Sequence, residues 1–79
     1  MNHHHHEKEG DMPFREKLEK LLEHWVKHNT DHAETYRAWM KKAEMEGMKE
    51  VANRLEEAAE MTIQINKKFE EAIRSVGKT

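Results

Sequence analysis

A single glycine near the middle of an otherwise uninterrupted helix-forming chain decides most of what this sequence can become. Proline occurs only at Pro13, and the three glycines are Gly10, Gly47 and Gly77. Proline favours the first position of a helix, where its missing N–H is not needed. Glycine favours the position just past the end, where the backbone turns left-handed. The stretches between these marks are rich in Glu, Lys, Ala, Leu and Met, which lose little side-chain freedom in a helix. No alternating strand pattern competes. The punctuation therefore predicts an all-α fold, with helices over 13–46 and 48–76 joined at Gly47. At 1.5 Å per residue each is roughly 45 Å long, and together they form a long antiparallel hairpin domain spanning 12–77. A competing architecture breaks the first helix at Asn29–Asp31, with Asp31 and Glu34 forming a new capping box. The apolar stripe keeps its phase across that point, which favours one continuous helix.

The apolar residues recur at helical spacing. Leu18, Leu21, Leu22, Trp25, Tyr36, Trp39 and Ala43 share one side of the first helix. Val51, Leu55, Ala58, Ala59, Thr62, Phe69, Ile73 and Val76 share one side of the second. Two helices bury only one seam, so Val26, Met40, Ile63 and Ile65 are expected to face outward. A chain of 79 residues without cysteine has little core and no disulfide to reinforce it. A metal or a partner subunit remains as reinforcement, and the outward apolar residues point to a homodimer forming a four-helix bundle.

Charge narrows the partners. Fourteen Lys and Arg are interleaved with sixteen Asp and Glu. No basic face results, which argues against nucleic acid. No apolar run approaches the ~20 residues that cross a bilayer, and no apolar leader is visible, so a cytoplasmic location is expected. His3 to His6 lie in a polar stretch, residues 1–11, that reads as disordered. It is either a native metal-capturing arm or an added tag before a start at Met12.

Outside that run there are three histidines, His24, His28 and His32, at intervals of four. Side chains at i and i+4 are neighbours on a helix, so successive imidazoles can converge on one ion. In a hairpin turning at Gly47, facing residues have numbers that sum to about 93 or 94. Trp25 then meets Phe69, Trp39 meets Leu55, and the polar patch of His28, Asn29 and His32 comes level with Asn66 and Thr62. Two uses follow from this layer. It can fix register, as a buried polar residue does in coiled coils, or it can bind a metal. In the second use His24, His28 and His32 are ligands, and Asp31 either binds or orients a ring. One i,i+4 pair supplies only two donors, so a symmetry mate would supply others. Binding requires neutral imidazole and should weaken below pH ~6.5. The zinc-protease HExxH motif and the Glu-x-x-His of di-iron bundles are absent. No nucleophile or acid–base pair is visible, so an enzyme is not expected.

"HWVKH", residues 24–28, is a His-Trp-x-x-His motif. It resembles the nickel-binding motif of nickel chaperones of the CooJ type, which are helical homodimers with a histidine-rich tail. The resemblance implies that His24 and His28 are Ni2+ ligands at a dimer interface with Trp25 beside them, and that the ion passes to an acceptor protein. It assigns no role to His32. The longer string "HWVKHNTDHAETYRAW" also looks like small uncharacterised prokaryotic proteins with a histidine-rich N-terminus. Imidazole suits Zn2+, Co2+ and Cu2+ as well as Ni2+. The rival expectation is a structural or interaction hairpin whose buried His/Asn/Thr layer sets register without any physiological metal.

Overall fold

The computed structural model describes residues 12–78; the expectation for the histidine-rich segment 1–11 lies outside the described residues. Two helices, α1 (Phe14–Met45) and α2 (Lys49–Lys78), pack against each other as an antiparallel hairpin. α1 starts directly after Pro13 and runs unbroken through Asn29–Asp31, so the three-helix alternative does not occur. Its end is set by Gly47, whose φ is +78°. The Met48 N–H donates to the Ala43 carbonyl over 2.9 Å, and the Gly47 N–H to that of Glu44 over 3.0 Å. These are the two bonds of a Schellman motif, which satisfy carbonyls that have no acceptor role left in the helix and reverse the chain. Gly77, by contrast, is helical and does not stop α2.

The seam is not centred where the large apolar residues suggest. Its buried members are Leu22, Ala33, Ala52, Ala59 and Asn66. Each helix has a complete heptad stripe through these positions: Leu22, Val26, Asn29, Ala33, Tyr36, Met40 and Ala43 in α1, and Ala52, Leu55, Ala59, Thr62, Asn66, Phe69 and Ile73 in α2. Alanine at three of the buried points lets the two backbones approach closely. Val26, Met40 and Ile63, expected outside, are therefore half-buried along the seam. Trp25 and Trp39, expected on the core side, stand at its edge, 39% and 57% exposed. Ile65 does face outward, as expected.

The facing rule holds. The Trp25 and Phe69 rings lie 5.5 Å apart, and Trp39 and Leu55 border one cleft near the turn. These contacts define a front side. Arg37 bridging to Glu56 defines the opposite, back side.

Candidate metal centre

α1 carries its three histidines on successive turns at the front, all solvent-exposed. The buried His/Asn/Thr layer expected from the sequence is thus divided. Asn66 is buried, Thr62 and Asn29 are half-buried, and His28 and His32 stand outside the seam. The reason is the seam's position. With Ala33 at its centre, His32 is turned out by about 100°.

The rings form a row. His24 and His28 are nearly parallel, with centroids 5.8 Å apart and an angle of 16°. His28 and His32 are closer, 4.3 Å apart and edge-on at 76°. Their Nε2 atoms lie 3.0 Å from each other. Tyr36, one further turn on, stacks on His32 at 6.0 Å and 6°. Of the expected ligands the structure brings two together, His28 and His32. His24 stacks on the pair without sharing its contact, and Asp31 is exposed and makes no hydrogen bond or ion pair with a histidine among the described residues. No three His, Cys, Asp or Glu side chains converge among the described residues. Tyr36 escaped the sequence reading as part of this row, although its strict spacing of four from His32 was a visible signal.

An Nε2–Nε2 distance of 3.0 Å has two chemical uses. With one ring protonated at that nitrogen and the other bare, it is a hydrogen bond. With both bare, it matches two donors on one metal ion. Nitrogens ~2.05 Å from a metal are about 2.9 Å apart at a right angle and about 3.4 Å apart at the tetrahedral angle. The pair is spaced for cis positions of a square-planar or octahedral ion.

The polar groups inside the seam serve a different end. Asn66 Nδ2 donates to the Val26 carbonyl over 3.0 Å and to Thr30 Oγ1 over 3.1 Å. Thr30 Oγ1 itself donates to the Val26 carbonyl over 2.9 Å. These bonds form only at one alignment of the helices. The burial leaves Asn66 Oδ1 without a hydrogen-bond partner. On the back, Arg37 holds Glu56 through Nε at 3.2 Å and Nη2 at 3.1 Å, and Glu60 through Nη2 at 2.7 Å. The Arg37 hydrogen bond, against the desolvation of Glu56 and with help from the Arg37 charge and Glu60, holds the Glu56 carboxyl below its ordinary 4.5. Arg37 is raised in turn.

Residues 18–76 match a family model described as "Domain of unknown function (DUF8180)". An uncharacterized protein of Archaeoglobus fulgidus is 37% identical over 62 residues, which cover 78% of this chain and 98% of that protein. No solved structure matches. No helix among the described residues is long and apolar enough to cross a membrane.

Proposed function

This chain belongs to the DUF8180 family, and we propose that it is a metal-handling protein that grips a divalent transition-metal ion, Ni2+ first among them, between His28 and His32. The observation that supports this reading is the 3.0 Å separation of their Nε2 atoms. That spacing suits the right-angled geometry of Ni2+ or Cu2+ better than the tetrahedron of Zn2+. Copper leads on intrinsic affinity, so nickel rests on the resemblance of residues 24–28 to the CooJ-type motif. Co2+ and Zn2+ compete for the same rings. His24 flanks the clip and Asp31 lies nearby on α1, each available to a bound ion after a rotamer change. Two donors do not complete a coordination sphere. In this reading two hairpins associate as a homodimeric four-helix bundle, the second supplying its own pair, and the ion is stored or passed to an acceptor protein.

Calorimetric titration with Ni2+ tests this in the full chain with His3 to His6 replaced by alanine. His28→Ala and His32→Ala should each weaken binding by at least tenfold, and His24→Ala by no more than about threefold, since a lost donor outweighs a lost neighbour. Unchanged binding in the His28→Ala/His32→Ala double variant removes the proposal. A stronger effect of His24→Ala than of His32→Ala returns the site to the pair that the motif names.

A second reading treats the hairpin as a structural or interaction module with no physiological metal. The Asn66–Val26–Thr30 bonds favour it, because they fix register without any ion. It predicts no nickel affinity beyond that of His3 to His6, and little change in thermal stability on His32→Leu because that ring lies outside the seam.

A further inference from the structure

The front of the hairpin is a second, unpartnered apolar face. One heptad stripe of α1 forms the seam, and a parallel stripe one residue earlier runs along the front: Leu18, Leu21, Trp25, His28, His32, Thr35 and Trp39. α2 matches it with Val51, Ala58 and Ile65. Leu21, Trp25, Trp39, Val51 and Ile65 are all exposed. Two helices ~45 Å long and ~10 Å apart present a face about 20 Å wide, so about 900 Å2. A stable protein–protein interface takes about 800 Å2 per partner, so the face is large enough to form one.

The pattern of the face selects its occupant. Its two histidines, His28 and His32, flank the midpoint of α1 (Phe14–Met45), with Leu18, Leu21 and Trp25 toward one end and Trp39 toward the other. A two-fold axis through that midpoint sets His28 of one copy level with His32 of the other, and Leu21 with Trp39, while overlapping the full length of both hairpins. Self-complementarity of this kind is what an isologous contact between identical chains requires. The ends then fix the direction. Phe14 projects at the open end, 75% exposed. At the turn end Trp39, Met48, Val51 and Leu55 border an apolar cleft. Both lie ~13–16 residues from the midpoint, so antiparallel alignment brings each Phe14 to the other copy's cleft.

We infer that the front face binds a second copy of this chain, α1 lying antiparallel across α1, with the two His28–His32 pairs meeting at the axis. This takes its dimer from the reading above and specifies the face and the direction, but needs no metal. Residues of the two copies are then level where their numbers sum to about 60. Lys17 of one copy comes level with Lys42 of the other, both exposed at the outer edge of the face.

The chain has no cysteine, which makes crosslinking clean. Full-length Lys17→Cys and Lys42→Cys chains are given different tags, mixed in EDTA and treated with a short bismaleimide. The inference expects the mixed product to exceed either self-product at least tenfold, and sedimentation to give a dimer. A dimer without the mixed product overturns the antiparallel arrangement. A monomer overturns the interface. Trp39→Glu, placed on the exposed edge so that α1 and α2 still pair, should weaken the dimer at least 100-fold with helix content unchanged; an undisturbed dimer also overturns the interface. The His28→Ala/His32→Ala chain separates the two proposals. It should remain dimeric in EDTA even if it, or the parent, binds no nickel.

Discussion

At one height in the hairpin, the two sides of the seam treat polar residues in opposite ways. Toward the back, Asn66 reaches from α2 to the Val26 carbonyl and Thr30, so both its N–H bonds are made inside the chain. On the front, His28 and His32 pair with each other and stack with the rings beside them along α1. A polar residue at the seam aligns the helices. One turned a third of a circle away contributes little to alignment, and its ring stays open to something outside the chain.

The largest expected effect tests that contrast at its sharpest point. Asn66→Asp removes both N–H donors and sets a carboxylate against the Val26 carbonyl in a buried position. It should cost about 2–3 kcal/mol at neutral pH, the usual range for a buried group left unpaired. His32→Ala, level with it but exposed, should cost under ~0.5 kcal/mol. Urea unfolding in EDTA measures both. Similar losses would mean that the histidine row is part of the frame, and the contrast between the sides would vanish. Gly47→Ala acts on both sides alike. The left-handed φ of +78° disfavours any Cβ, while no atom lies within 4 Å to clash with it. The cost is then conformational alone, about 1 kcal/mol or slightly more. Nickel affinity in the folded protein should not change, because the turn is remote from His28.

The helices and their turn were legible in the sequence because Pro13 and Gly47 act through local backbone sterics that no tertiary contact needs to assist. The facing rule was legible too, since an antiparallel hairpin has one free parameter once its turn is known. The placement of the seam was not. Hydrophobic size put Trp25 and Trp39 on the core side, whereas close packing of two helices favours the small side chains of Ala33, Ala52 and Ala59. Two heptad stripes differing by one residue fit the same chain, and only the packed pair tells which is inside. That single-residue offset also moved His32 from the expected buried layer to the surface. The spacing of the histidines was plain, but not which neighbours close on each other. His28 with His32, rather than His28 with His24, depends on ring rotations that a count of residues does not contain.

The smallest expected effect belongs to the back alone. Arg37 holds the Glu56 carboxyl below its ordinary 4.5, chiefly by hydrogen bonding. An acid whose value is depressed by folding stabilises the native state above its unfolded value, and that contribution is lost as pH falls through the lowered folded value. Above 4.5 the Glu56 contribution is therefore complete, and it disappears only in more acidic solution. Arg37→Gln keeps the length of the side chain but removes the charge that creates the difference. The variant should be slightly less stable than the parent at neutral pH, because both side chains keep over a third of their surface exposed and solvent screens the pair. The two stability curves should draw together as the pH falls from about 6 to about 3. Salt should narrow the gap at neutral pH in the same way. Urea midpoints across that range, read with and without 0.5 M NaCl as an order-of-magnitude screen of about 4 Å, make the comparison. Curves that stay parallel would show that Arg37 supports the back by packing its methylenes against α2 rather than by charge.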